Sequence, residues 1–288
     1  MSKYILYTYQ FSPIKNRQSD FMVTSYSDKE LMEHKQEFFS SVIECKGELY
    51  CRQNKKFAHK ILFNSGGIMV FRIANSKSLF LEQNFHKSEM FNSPSCLVII
   101  DNRYNIQRIA IEEDKKAFTD TDVVKNILLT TYKKVLAKYG LDIIIQREYQ
   151  ASEFWNIVKE NPYNITLVRF EFSYPNLPRL QNTIRKILRD SSENTNSKLT
   201  TIEYKAAKGE SLDISENDDN MHDLSRASAD GGDVIKIKLK NARSMIQTGN
   251  TTKSVEFEQL ELAITNDLFD KAFEKLVTLL NQFKDVVS

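Results

Sequence analysis

The sequence has few of the residues that build nucleotide loops, metal centres and disulfide frameworks. Its 288 residues include eight glycines and three cysteines. Neither GxGxxG nor GxxxxGK(S/T) occurs, which removes the usual support for a Rossmann or P-loop nucleotide site. Cys45, Cys51 and Cys96 are sparse, odd in number and without a partner at a zinc spacing. We therefore expect no cofactor, no metal site and no disulfide framework.

Sequence signals for membrane insertion, secretion and nucleophilic catalysis are also missing. The mean hydropathy is −0.44, and no apolar run approaches the roughly 18 residues that span a bilayer. The first residues lack an apolar stretch followed by a small-residue cleavage site, so we expect a cytoplasmic protein. There is no GxSxG elbow, and no cysteine has a nearby histidine to activate it. The sequence therefore predicts a protein without catalytic residues.

The apolar pattern predicts an α+β fold of largely antiparallel sheets with packed helices. Residues 120–122 (Asp-Thr-Asp) are a good N-terminal cap region for a long helix, and Gly140 is well placed to end it. We expect two domains, residues 1–147 and 148–288, with the seam near 145–162. The predicted strands are 3–11, 48–51, 57–63, 68–73, 79–81, 97–100, 107–111, 141–147, 164–172, 199–204 and 233–239. The predicted helices are 28–43, 120–139, 151–159, 179–189 and 257–287, with 216–226 a short acidic helix or loop.

A lysine-rich strand is the strongest local signal for function. The formal net charge is only +2, from 40 basic and 38 acidic residues, so DNA binding would require a segregated basic patch. Lys236, Lys238 and Lys240 alternate with apolar residues, and Arg243 follows them. A strand would present the three ammonium groups at a spacing of about 6.6 Å, which suits a phosphate backbone. The alternative is a solvated lysine face, or lysines that protect a sheet edge.

A basic amphipathic helix is the second signal. Its cations lie off the apolar stripe and no acidic residue interrupts them, which suits contacts with phosphates or base edges. An ordinary solvated helix face is the alternative. The cations of this helix are Arg179, Arg185, Lys186 and Arg189.

One spacing is compatible with catalysis. Glu203 and Lys205 end a predicted strand with the ExK spacing of metal-dependent nucleases. Such a site needs a further carboxylate to hold a divalent cation, and the sequence offers three. The three are Asp190, Asp213 and Asp233.

Several segments of the chain match a known family in their order and spacing. They are residues 7–9, 60–63 with 70–79, 93–101 with 106–110, and 227–235, followed by the predicted C-terminal helix. In these segments and in the length of that helix, the sequence resembles RexA-type phage-exclusion proteins of lambda-like phages. The resemblance implies a two-domain dimer that binds duplex DNA with little sequence preference and acts in phage defence. It also implies a membrane protein partner.

The leading hypothesis is therefore non-enzymatic, largely sequence-independent binding of double-stranded DNA in a phage-defence or phage-exclusion system. A homodimer is expected as well, because the predicted helix 257–287 has more apolar positions than one buried face requires; the alternative is a fully internal helix at a domain seam. Two alternatives stay open. One is a metal-dependent nuclease that uses Glu203 and Lys205, and the other is a protein-interaction sensor of phage infection.

Overall fold

The protein is an α+β structure in which every described strand pair is antiparallel, which confirms the predicted fold class. This computed structural model describes residues 2–14, 26–44, 49–50, 55–104, 106–173, 195, 197, 199–231 and 233–257.

The boundaries of the elements follow the apolar pattern closely in most of the described chain. The helices are α1 (Asp28–Glu33), α2 (Lys35–Val42), α3 (Thr121–Leu136), α4 (Ser152–Glu160) and α5 (Asp219–Gly231). The strands are β1 (Ser2–Pro13), β2 (Leu49–Tyr50), β3 (Lys56–Phe57), β4 (His59–Ser65), β5 (Ile68–Ala74), β6 (Lys77–Gln83), β7 (His86–Asn92), β8 (Ser95–Asp101), β9 (Arg108–Glu112), β10 (Leu141–Arg147), β11 (Ile165–Ser173), β12 (Leu199–Lys205), β13 (Lys236–Leu239), β14 (Ile246–Gln247) and β15 (Ser254–Phe257).

The larger sheet is organised around β1. Its described strands follow the order β10-β1-β9-β8-β5-β4, and β15 also pairs with β1. Because β1 is twelve residues long, one edge pairs with β15 over residues 2–5 and with β10 over residues 7–13. The strand is buried along almost its whole length, as its aromatic and β-branched composition predicts.

Helix α3 covers one face of this sheet and begins and ends as predicted. The side chain of Asp120 accepts a hydrogen bond from the N–H of Asp122. A 3-10 turn, Ala137–Tyr139, follows the helix, and Gly140 then adopts a left-handed φ of 75°. The apolar stripe of α3 joins inward-facing residues of β1, β8, β9 and β10 in one core.

The smaller sheet has the order β12-β11-β13-β14. Val168, Phe170 and Phe172 of β11 alternate with polar residues and face one side. Residues of α4 and α5, such as Phe154 and Met221, pack on this side and close a second core. The opposite side of the sheet is thereby left with the polar residues.

Several predicted boundaries need correction. Predicted helix 28–43 is two helices, because the chain leaves helical geometry at His34. Strand β13 begins at Lys236 rather than at residue 233. It ends at Leu239, so Lys240 lies in the turn after the strand. Helix α5 extends to Gly231, five residues beyond the predicted segment.

Strand β15 was not predicted, and it brings a segment of the second half into the first sheet. The predicted helix 257–287 was expected to begin at Phe257, but that residue ends β15. The remainder of that helix and the whole of helix 179–189 lie outside the described residues. The division into two domains stays a prediction. No helix in the described part of the chain combines the length and hydrophobicity needed to cross a membrane.

Candidate nucleic-acid interface

The polar side of the smaller sheet carries four of the charged residues that the sequence singles out, two on β12 and two on β13. We call this side the outer face. Along each strand its residues alternate with buried or half-buried residues that face α4 and α5, although Leu167 of the outer face is itself buried. The outer face comprises Glu203 and Lys205 of β12, Leu167, Arg169 and Glu171 of β11, and Lys236 and Lys238 of β13.

The middle of the outer face is electrically balanced. Arg169 stands opposite Glu203 on one neighbouring strand and Lys236 on the other. The guanidinium of Arg169 contacts one carboxylate oxygen of Glu203 at 2.7 Å from Nε and 2.6 Å from Nη2. The ammonium of Lys236 lies 2.8 and 2.7 Å from the two oxygens of Glu171. Lys236 is therefore neutralised by a carboxylate partner, and its part in DNA binding stays a prediction.

One end of the outer face keeps an excess of positive charge. Leu167 stands opposite Lys205 on one side and Lys238 on the other. The ammonium of Lys238 donates a hydrogen bond to the backbone carbonyl of Arg243 at 3.0 Å, which brings the turn after β13 to this end. Lys240 lies in the same turn. We call Lys205, Lys238, Lys240 and Arg243 the basic end.

The cations of the basic end are not paired with carboxylates in the part of the chain that the structure describes. None of the four forms an ion pair with a described residue. Lys205 and Arg243 are exposed, whereas Lys238 and Lys240 are half-buried. Cations gathered without ion-pair partners create a local positive potential, which attracts anions.

The second predicted basic element lies beyond what the structure describes. Arg179, Arg185, Lys186 and Arg189 all belong to the segment between β11 and β12 for which no structure is given. Their part in a DNA site stays a prediction from the sequence.

The residues of the nuclease alternative are not gathered into a metal site among the described residues. Glu203 and Lys205 share the outer face, but the carboxylate of Glu203 is engaged by Arg169. Asp233 is buried and accepts hydrogen bonds from Gln146 and Ser173. No group of three or more histidine, cysteine, aspartate or glutamate side chains in the described ranges could hold a metal ion. With Asp190 outside these ranges, the nuclease hypothesis stays a prediction.

Comparison with known proteins places the chain in a family. Residues 103–278 match the model of a family described as a domain of unknown function, DUF4747. The match covers more than half of the chain. The protein belongs to the DUF4747 family. No curated protein and no solved structure matches it.

The DUF4747 match contains the whole smaller sheet, and hence the outer face and the basic end. Sequence reasoning assigned Lys205 to a nuclease rather than to a basic surface. It also missed the neutralising role of Glu171. The signal was present in residues 165–173, where Arg169 and Glu171 occupy alternate positions of a strand. Only the pairing of β11 with β13, however, shows that these charges share a face with the lysines.

Proposed function

We propose that this DUF4747 protein binds double-stranded DNA, largely independently of sequence and without cleaving it, and that it acts in phage defence or exclusion. The observation that carries the proposal is the basic end, where Lys205, Lys238, Lys240 and Arg243 have no carboxylate partner among the described residues. The defence setting, like a membrane protein partner, rests on the resemblance to RexA-type proteins.

The chemistry of the basic end favours phosphates over bases. Three of its four cations are lysines, whose compact charge on a flexible stem suits phosphate contacts and gives little discrimination between bases. Lys205 and Lys238 lie on strands separated by β11, so their backbones are about 10 Å apart. The patch can therefore meet more than one phosphate of a duplex. A binding free energy that comes from phosphates predicts low sequence preference and strong salt dependence.

Binding of the full-length protein to two unrelated 30-base-pair duplexes, measured by fluorescence anisotropy between 50 and 300 mM NaCl, tests the proposal. Four phosphate contacts predict a slope of about −3.6 for log K against log salt. The double variant Lys205→Gln/Lys238→Gln should reduce the slope to about −1.8. The control Lys125→Gln/Lys138→Gln on α3 and its following turn removes the same charge and should keep the slope.

The same experiment separates the alternatives. Absence of binding at 50 mM NaCl would overturn the proposal, and equal losses in the two double variants would show that the basic end is not the site. Plasmid incubated with the protein and magnesium or manganese should stay intact. Cleavage that is lost in Glu203→Ala would support the nuclease instead.

A further inference from the structure

Strands β6 and β7 form an arm, residues 77–92, that stands apart from both larger sheets. Within the described residues, these two strands pair only with each other. All seven residues of β7 are exposed, and large apolar side chains are exposed as well. Phe80 is 70% exposed, Phe85 97% and Phe91 83%. Exposed aromatic side chains beside an unpaired strand edge are typical of a surface that binds another chain.

The turn of the arm fixes which backbone groups of β7 point outwards. Asn84 and Phe85 both have left-handed φ values, 51° and 66°, as in the two-residue turns that close tight hairpins. In such a hairpin the pair that flanks the turn is hydrogen-bonded, and hydrogen-bonded pairs then alternate along the strands. Ser88, which stands opposite Leu81, therefore directs its backbone groups inwards. Lys87 and Glu89 direct theirs to the free edge of β7.

The side chains of these two residues have opposite charges and share one face of the arm. Lys87 stands opposite Glu82 of β6, with its ammonium 3.9 Å from the carboxylate. Glu89 stands opposite Phe80 and has no ion-pair partner in the described chain. The free edge thus presents one cation and one unpaired anion, placed symmetrically about Ser88.

We propose that β7 pairs with β7 of a second copy of this chain, antiparallel and centred on Ser88, so that the two arms form one four-stranded sheet. In this register Lys87 of each copy stands opposite Glu89 of the other, and both residues direct their backbone groups to the edge of β7 that has no strand partner among the described residues. Phe91 of each copy meets Phe85 of the other. The interaction does not depend on DNA binding.

The charges select this register over its neighbours. Centring the pair on Lys87 places two ammonium groups opposite each other, and centring it on Glu89 does the same with two carboxylates. Directly opposed like charges destabilise a strand pair, whereas opposite charges stabilise it. Because an edge of seven residues is small beside the interfaces of permanent dimers, the dimer should form reversibly with concentration.

Sedimentation equilibrium of the full-length protein tests the pairing by exchanging charges. Lys87→Glu and Glu89→Lys each convert two attractive contacts into repulsive ones, so each should raise the dimer Kd roughly tenfold. The double variant Lys87→Glu/Glu89→Lys restores opposite charges and should return the Kd to that of the unmodified protein. A protein that stays monomeric at high concentration would overturn the proposal, as would a dimer whose Kd neither single variant changes.

A cysteine at the symmetry centre gives a second, geometric test. The two copies of Ser88 form a non-hydrogen-bonded pair with Cα atoms about 4.5 Å apart, which a disulfide can span. Ser88→Cys should therefore form a disulfide-linked dimer under mild oxidation, whereas the exposed control Ser78→Cys on β6 should not. The unmodified protein, oxidised in parallel, measures the cross-linking that comes from the native cysteines. Equal cross-linking at both positions would contradict the register.

Discussion

The guanidinium of Arg108 and the carboxylate of Glu148 form a buried, bidentate ion pair. Nε of Arg108 lies 2.8 Å from Oε1 of Glu148, and Nη2 lies 2.7 Å from Oε2. The two side chains are 4% and 0% exposed. Burial lowers the pKa of Arg108 and the charge of Glu148 raises it, with a net increase that keeps the guanidinium protonated. The pair joins β9 to the segment after β10, across the central strand β1.

Removing one partner of this pair should destabilise the fold more than removing both. Arg108→Met leaves a buried carboxylate without its cation, and we expect the free energy of unfolding to fall by about 3–5 kcal/mol. Arg108→Met/Glu148→Leu removes both charges from the core and should recover most of that loss. Urea unfolding followed by Trp155 fluorescence measures both values. A double variant no more stable than the single one would contradict this account.

A second carboxylate, that of Glu153 on α4, anchors the loop before β15 through hydrogen bonds. Glu153 accepts hydrogen bonds from the backbone N–H groups of Gly249, Asn250 and Thr251 at 3.0–3.1 Å, and from the side chain of Asn250. Glu153→Ala should lower the free energy of unfolding by about 3 kcal/mol, because it leaves several hydrogen-bond donors without an acceptor. The exposed control Glu160→Ala lies on the same helix and should cost little. Amide exchange at residues 249–251 that stays slow in Glu153→Ala would argue against this role.

Local features of the fold could be read from the sequence because their causes are local. Three such features are the cap region at residues 120–122, the helix end at Gly140 and strand β10, which all depend on neighbouring residues. Contacts such as Arg108–Glu148 depend on β9 and β10 both lying beside β1, which no spacing along the chain reveals. For the same reason, the sequence showed alternating charges near Arg169 but not which of them neutralise one another.

Strand β15 shows a further limit of sequence reasoning. Its four residues carry only a short alternating pattern, and they lead directly into a segment whose apolar spacing predicts a helix. Their strand conformation comes from pairing with Ser2 to Ile5 of β1 at the far end of the chain. Long-range pairing of this kind overrides a weak local preference.

The buried carboxyl group of Asp233 should make stability depend on pH. Burial raises the pKa of Asp233 to about 6, although Gln146 and Ser173 donate hydrogen bonds to it. Because the unfolded value is about 3.9, the folded state holds this proton more tightly. This group contributes about 2–3 kcal/mol to the free energy of unfolding. The contribution is fully present below pH 4 and is lost as the pH rises through 6.

Asp233→Asn should remove that dependence. An amide at this position can keep bonds to Ser173 and can donate to Oε1 of Gln146, a buried atom with no partner among the described residues. The unfolding free energy of the unmodified protein relative to the variant should therefore fall between pH 4.5 and 7.5. Urea titrations across this range supply the difference, and two parallel pH profiles would contradict the assignment.

The ion pair between Lys236 and Glu171 predicts a variant that binds DNA more tightly than the unmodified protein. Glu171 holds the ammonium of Lys236 at 2.7–2.8 Å, and both side chains remain partly exposed. Glu171→Gln removes the negative charge and leaves Lys236 as a further cation beside the basic end. One added phosphate contact should steepen the slope of log K against log salt by about 0.9 and raise affinity severalfold at 50 mM NaCl.

A matched pair elsewhere on the molecule supplies the control for this gain. Lys3 and Glu113 form an ion pair at 3.4 Å between β1 and the residue after β9, away from the smaller sheet. Glu113→Gln changes the net charge by the same amount and frees a lysine in the same way. If both variants steepen the slope equally, the gain comes from net charge alone. A gain confined to Glu171→Gln locates the DNA on the outer face, next to Lys238.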